Sequence, residues 1–286
     1  MGRKYLRKLA LEVLGEEMAK RIWGRMEIVG DILVIRIPFD VEPEALKPLA
    51  ERVLAELPYV KSVWGGLPGV KGEYRLREFI HLAGEKRSET VYKEYGCLFK
   101  VDITRVYLSP SLSYEHYRVA KLVSPGEVVV NMYAGAGLFS IVMAKHAKPR
   151  VVYSIDINPD AYRCMVENVR LNKVEGVVVP ILGDAARVIE EKLVDTSDRV
   201  LMPYPDIALE HLVYAVKALR GKGWIHIYLH VEAAKGEDPV GNAKRIAGEK
   251  LGELGVETYN FAFGRIVRQI APRRYQVVLD AYVVKK

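Results

Sequence analysis

The chain has 286 residues, half of them hydrophobic, enough for one large domain of about 150–200 residues and a smaller one. With 43 Lys+Arg against 36 Asp+Glu, its net charge of +7 and pI near 9.2 suit a polyanionic partner, because Lys and Arg replace the counterions condensed on a phosphate backbone. It has no apolar run of about 18 residues, no signal-type apolar stretch near its start and no Cys-x-x-Cys, which argues against a membrane span, export, a disulfide framework or a Cys-rich zinc site.

A cytoplasmic protein is therefore expected. Cys97 and Cys164 read as small buried hydrophobes. Only two glutamines, Gln269 and Gln276, stand beside the many charged residues, a balance resembling proteins from hot environments.

Residues 3–22 read as a helix, with Leu6, Leu9, Leu11, Val13, Leu14, Met18 and Ile22 at helical spacing, ending at Gly24. A strand over 27–38, a helix from Pro43 to Leu57 and a short strand near 60–63 make a small α+β module. Between Gly66 and Lys100 basic residues interleave with Tyr74, Phe79, Tyr92, Tyr95 and Phe99. Such a stretch either stacks on bases and holds phosphates, or is a solvated hairpin face with its rings in the core.

From Tyr107 onward strands and helices alternate. A helix is expected at 114–123, then strands at 128, 151–155, 177–181, 199–202 and 224–229, with helices at 138–146, 159–171 and 206–219 between them. That alternation requires a parallel sheet with crossover helices. A helix at 239–254 precedes two strands, 256–264 and 275–284, which should pair antiparallel. The expected domains are an N-terminal helix over 1–24, a small α+β domain over 25–105 and an α/β domain over 106–286.

Residues 128–140 carry the sharpest signal. Three valines and Asn131 form a buried strand, and Gly135 and Gly137 allow a sharp turn into a helix whose N-terminal amides face a ligand. Ser140 stands where a dinucleotide fingerprint wants Gly or Ala. Asp156 closes the next strand 21 residues after Gly135, where a carboxylate accepts ribose hydroxyls, a spacing shared by dinucleotide and S-adenosylmethionine folds. Asp184, after the third strand, is placed to accept from an adenine amino group or to cap a helix. The terminal hairpin favours S-adenosylmethionine. Prolines 203 and 205 fix the exit of the fourth strand and leave rigid carbonyls exposed, which suits a planar amino group.

Five segments then carry a resemblance: Tyr74–Glu78, His81–Glu85, Tyr95–Asp102, Val106–Pro110 and Ser154–Pro159. In that order, over roughly residues 25–286, they are similar to the archaeal and eukaryotic tRNA guanine-37 methyltransferases, a family that includes the wyosine-pathway enzymes acting on the same nucleotide. The resemblance implies a Rossmann-like class I methyltransferase sheet with an antiparallel terminal hairpin. It also implies transfer from S-adenosylmethionine to the purine at position 37, in the tRNA anticodon stem-loop, by a monomer without a metal.

Its general-base glutamate falls on Glu115 and its substrate-contacting arginine on Arg75, with Pro203 and Tyr204 completing the candidate catalytic set. A base is needed because the acceptor's proton must leave, and a guanidinium stabilises charge forming on O6. The candidate cofactor set is Tyr107, Ser109, His116, Asn131, Tyr133, Ala134, Gly135, Gly137, Asp156, Ile157, Asp184, Ala185 and Met202.

The chain departs from the family pattern at Pro203 (usually Asn), His116 (usually Arg), Asn131 (usually Asp) and Ser111 (usually Arg), and the first tRNA-inspecting domain is not expected. Methyl transfer to nitrogen 1 of guanosine or, slightly favoured, to carbon 7 of the 4-demethylwyosine intermediate is the expectation. Aminocarboxypropyl transfer to the same carbon and a non-catalytic tRNA-binding relative are the alternatives.

Overall fold

A computed structural model describes residues 3–24 and 26–286. It divides into two compact units, one ending at Ser113 and one spanning Tyr114–Lys286, where sequence reasoning set the last division at 105/106. The expected 24/25 boundary touches Arg25, which lies outside the described residues.

In the first unit, helix α1 (Arg3–Arg21) is broken at Gly15, whose φ of 79° and ψ of 172° are not helical. Leu6, Leu9 and Ile22 are buried, but Leu11, expected on the apolar face, is 52% exposed. The strand expected at 27–38 is a hairpin of β1 (Met26–Val29) and β2 (Ile32–Arg36), turning where Gly30 takes a φ of 57°. Gly30 is tied to its place by crowding as well: a methyl there would meet Val91 O at 2.5 Å.

A 3-10 turn from Pro43 leads into α2 (Lys47–Glu56), then β3 (Ser62–Gly66) and β4 (Phe79–Gly84) complete a sheet ordered β1-β2-β3-β4. The faces of α1, α2 and this sheet share one core around Leu33, Ile35, Leu46, Leu49 and Val53. A second hairpin, β5 (Glu89–Glu94) and β6 (Cys97–Asp102), turns at Tyr95-Gly96, both with positive φ. Phe99 is fully buried, whereas Tyr74 and Tyr95 are exposed, so the basic aromatic stretch divides its rings between core and solvent.

The second unit begins in α3 (Ser113–Leu122) and carries β7 (Val128–Asn131), α4 (Leu138–His146), β8 (Val151–Asp156), α5 (Pro159–Leu171) and β9 (Val178–Leu182). A single turn, α6 (Ala185–Val188), runs into a π-helical turn, Ile189–Leu193, that the periodicity did not foreshadow. Then come β10 (Ser197–Met202), α7 (Ala208–Ala218), β11 (Leu219–Glu232), α8 (Pro239–Glu253), β12 (Thr258–Ala271) and β13 (Arg274–Val284).

The sheet runs β12-β13-β11-β10-β7-β8-β9. The β9, β8, β7, β10 and β11 strands are parallel neighbours, and β13 inserts antiparallel between β11 and β12. The valines of β7 and Ile225, Ile227 and Leu229 in β11 are buried, as parallel strands covered on both faces demand, and Val277, Val278 and Val283 of antiparallel β13 are buried beside them. Cys97 is buried and Cys164 half-buried, and neither forms a disulfide. Among the described residues no helix is long and apolar enough to cross a membrane.

Candidate active site

The β7–α4 turn is built by backbone bonds. Ala134 N donates to Ile155 O at 2.8 Å and Gly137 N to Ala134 O at 2.9 Å. Gly135 and Gly137 take φ of 56° and 89°. A side chain at Gly137 would stand 3.0 Å from Met165 Cγ, so this position is held to glycine by conformation and by packing under α5.

Asp156, at the tip of β8, is aimed at the turn: its Oδ2 accepts from Gly135 N at 2.6 Å and its Oδ1 from Asn158 N at 2.9 Å. Burial raises its pKa, and the two amides pull against that. Each carboxylate oxygen keeps a second lone pair, so the side chain that shapes the turn retains acceptor capacity for hydroxyls. Ile157, beside it, is 37% exposed. Asp184 caps α6, accepting from Arg187 N at 2.9 Å, while Ala185 behind it is buried.

Asn131 is fully buried. Its Nδ2 donates to Ser140 Oγ at 3.1 Å, and Ser154 Oγ donates to the same hydroxyl at 2.7 Å. Asn131 Oδ1 is left without a hydrogen-bond partner. An orphaned buried acceptor at the carboxyl end of the first parallel strand is unusual, since buried polar atoms are nearly always paired. His116 is buried with its ring edge-on to Phe139 at 4.4 Å.

At the end of β10, Met202 is buried, and Tyr204 stands edge-on to Tyr133 at 5.4 Å. Tyr133 OH lies 2.8 Å from His211 Nδ1, and burial followed by the charge of Asp184 raises its pKa. Pro203 carries no amide hydrogen, so its nitrogen donates no hydrogen bond in this exit.

Sequence reasoning missed the charges around Glu115. That side chain is 1% exposed. Its Oε2 accepts from Arg118 Nε at 2.9 Å and from Tyr228 OH at 3.0 Å. Its Oε1 has no hydrogen bond and faces Arg265 Nε at 3.3 Å; Arg265 in turn lies over the exposed ring of Tyr114 at 4.5 Å. Arg118 grips Asp280 with two bonds of 2.6 and 3.0 Å, and Asp280 Oδ1 lies 2.6 Å from His226 Nδ1.

On the far side, His226 Nε2 meets Arg199 Nη1 at 2.8 Å, and Arg199 pairs with Glu127 at 2.7 and 3.0 Å. A guanidinium cannot accept, so Nε2 must; His226 is then neutral, with its proton on Nδ1 donated to Asp280. Burial lowers the pKa of His226 accordingly. Burial would raise the carboxyl of Asp280, but its bonds to His226 and Arg118 win and hold it well below the usual range. Tyr228 is pushed well up by burial, and then by the charge of Glu115. The only sequence signal was a lone His in Ile-His-Ile and a lone Asp in Val-Val-Leu-Asp-Ala, polar residues inside apolar strands.

The remaining candidates lie in the first unit. Arg75 has a φ of 53°, its guanidinium lies 6.0 Å from the Tyr107 ring centroid, and its backbone N donates to Gly72 O at 3.1 Å. Ser109 and Ser111 hydroxyls are 2.9 Å apart. Among the described residues no group of three or more His, Cys, Asp or Glu could hold a metal ion.

Residues 90–254 match the TRM5/TYW2 methyltransferase domain, and residues 6–87 match the TYW2 N-terminal domain. A Saccharolobus solfataricus protein named tRNA 4-demethylwyosine(37)-methyltransferase Taw21 is 48% identical over 91% of this chain and 94% of its own length. The solved complex of aTrm5 and tRNALeu superposes with a TM-score of 0.84 at 34% identity, over the whole of this chain and 79% of that one. Methanocaldococcus jannaschii TYW2 in complex with AdoMet gives a TM-score of 0.65 at 29% identity, covering 92% of this chain and all of that one. With its strand order, its glycine turn and both of its domains accounted for, the chain belongs to the TRM5/TYW2 methyltransferase family.

Proposed function

We propose that this protein is a monomeric, cytoplasmic tRNA methyltransferase that moves a methyl group from S-adenosylmethionine to the purine at position 37, with carbon 7 of the 4-demethylwyosine intermediate favoured over nitrogen 1 of guanosine. The observation that carries the reading is the near-full-length 48% identity to the 4-demethylwyosine methyltransferase, joined to a site of matching chemistry.

The residues at the turn fit the cofactor. Asp156 has acceptor capacity left for ribose hydroxyls, Asn131 Oδ1 is a buried acceptor in want of a donor such as an ammonium, and Gly135 and Gly137 keep the turn clear of side chains. Met202, Tyr133, Ala134, Ile157 and Ala185 line the same strand ends, with Asp184 beyond its cap available to an adenine amino group. His116, Tyr107 and Ser109 complete the proposed contacts. When bound, S-adenosylmethionine supplies an electrophilic methyl on a sulfonium sulfur.

The protein's own part is orientation and proton removal. Pro203 and Tyr204 present a rigid carbonyl and a ring edge to a planar base, and Arg75 is the proposed stabiliser of charge on O6. Glu115 takes the proton that leaves the acceptor atom as the methyl bond forms, from carbon or from nitrogen. Its Oε1, without a hydrogen-bond partner, supports that role.

Incubating the protein with S-adenosylmethionine and tRNA carrying either guanosine or 4-demethylwyosine at position 37, then weighing the nucleosides, tests the reading. A mass gain of one methyl on the tricyclic base is expected. An aminocarboxypropyl gain would replace methyl transfer with the alternative. Absence of saturable S-adenosylmethionine binding in calorimetry would remove every transferase reading and leave a tRNA-binding protein.

A further inference from the structure

The chain of buried charges Glu127, Arg199, His226, Asp280, Arg118, Glu115 alternates in sign, with neutral His226 as its middle link. Glu115, His226, Asp280 and Arg199 are each at most 3% exposed. Burying so many charges is costly, and well-packed apolar residues would stabilise these strands at least as well, so stability alone does not account for them.

The directions of the bonds matter more than their number. Arg199 donates to His226, His226 donates to Asp280, and Asp280 holds both outer nitrogens of Arg118, which leaves Arg118 turned with its Nε toward Glu115. Tyr228 OH supplies a second donor from β11. Both land on Oε2. The result is a carboxylate with one oxygen spent and the other, Oε1, kept open behind the side chain of Arg265, which is 31% exposed.

We propose that Asp280, His226 and Tyr228 are positioning residues of this transferase: they fix the rotamer of Glu115 so that Oε1 alone is presented to the departing proton. The proposal rests on Glu115 being the proton acceptor. Asp280 and His226 act through Arg118 and touch no substrate. Tyr228 acts directly on Oε2. Arg265, which lies over Oε1, must move aside for an acceptor base to reach it.

Single and double variants separate the possibilities, each measured with whichever tRNA form is methylated and each first shown to be folded by saturable S-adenosylmethionine binding. Glu115→Gln tests the base itself. Tyr228→Phe removes one hydrogen bond to a carboxylate without changing shape and should lower kcat about tenfold or more, the rate equivalent of one hydrogen bond to a charged group. Asp280→Asn, which turns an N–H against Arg118 or His226, should lower kcat about tenfold or more. In both, the KM values for tRNA and cofactor should stay within about twofold, because an interaction acting only on the chemical step leaves binding alone.

His226→Gln keeps one donor and one acceptor and should retain most of kcat, whereas His226→Leu should not. The decisive arm is the double variant Glu115→Gln/Asp280→Asn: a positioning residue has nothing left to position, so the pair should be no slower than Glu115→Gln alone. Multiplying losses, or wild-type kcat in both Asp280→Asn and Tyr228→Phe while Glu115→Gln is impaired, would overturn the positioning role and leave the base in place. Wild-type turnover in Glu115→Gln would overturn both. Should Asp280→Asn fail to bind cofactor, Tyr228→Phe and its double variant with Glu115→Gln decide by the same criterion.

Discussion

Replacing Gly137 by alanine asks how much of the β7–α4 turn is dictated by backbone and how much by packing. The residue sits at φ 89° and ψ 15°, at the cap of α4. The left-handed conformation costs an L-residue about 1–2 kcal/mol, and the stiffer unfolded chain of alanine returns about 0.4–1 kcal/mol, leaving a net loss near 1 kcal/mol. The added methyl also presses on Met165 Cγ at 3.0 Å and Ile141 Cδ1 at 3.2 Å, a crowding worth about a further 1 kcal/mol.

Two other glycines divide these contributions. Gly126 has a φ of 83° with nothing within 4 Å of a Cβ, so its alanine variant should show the backbone cost alone. Gly176 is also open but has no positive φ, so its variant should gain about 0.4–1 kcal/mol. Urea unfolding followed by circular dichroism reads the three midpoints, with unchanged slopes required for the comparison. The expected order of stability is Gly176→Ala, wild type, Gly126→Ala, Gly137→Ala. A Gly137→Ala protein as stable as Gly126→Ala would refute the packing argument, and one as stable as wild type would refute the turn geometry itself.

Stability should fall as pH drops below about 6.5, because neutral His226 has a lowered pKa in the fold and takes up a proton only on unfolding. It should fall again below 3.8 as Asp280 loses its depressed-pKa advantage; the first slope is at most about 1.4 kcal/mol per pH unit, and equal slopes in wild type and His226→Gln would contradict the assignment. Asp156→Asn should weaken S-adenosylmethionine binding about tenfold or more while sparing tRNA binding, since charge-assisted bonds are worth about 1.5–3 kcal/mol; calorimetry with each ligand checks both halves. Asn131→Asp should lower the melting temperature of the free protein by burying a charge, yet tighten cofactor binding if Oδ1 meets an ammonium; looser binding would show that the orphaned acceptor points elsewhere. Arg75→Ala should reduce kcat more than Lys71→Ala, whose side chain pairs with Glu78 at 2.8 Å, and equal effects would mean that both merely hold phosphate.

Where periodicity and turn chemistry set the structure, the sequence was readable. The parallel strands, their crossover helices and the terminal hairpin follow from apolar runs separated by glycines and capped helices, and all are present. The β1–β2 hairpin was read through as one strand because apolar residues flank Gly30-Asp31 on both sides, and the positive φ at Gly30 and the antiparallel register reveal the reversal. Leu11 faces outward because, two residues after Leu9 and five after Leu6, it lies well round the helix from the stripe those two bury.

Asp184 shows a different limit. The same local pattern serves a cap and a ligand contact, and the cap is what the backbone displays. The charges behind Glu115 were illegible for another reason. Arg118 and Asp280 are 162 positions apart in the chain, and Arg199 and His226 are brought together only by the pairing of β10 with β11. Spacing rules describe neighbours along one element, and these partners meet across four.

The position of β13 has a consequence for how the molecule is made. It is the last strand in chain order, yet it lies inside the sheet between β11 and β12, and it carries Asp280. Until it arrives, β11 has an open edge, and Arg118 and His226 lack the carboxylate that joins them. During synthesis the second unit is therefore left with an uncapped strand edge and a guanidinium without its anion until nearly all of its residues are available. That edge is a natural place for a chaperone to hold, or for a second unfinished chain to pair. Assembly of the charge array and closure of the sheet become one late event, so a chain in which Asp280 has joined Arg118 to His226 has, by the same step, closed its sheet.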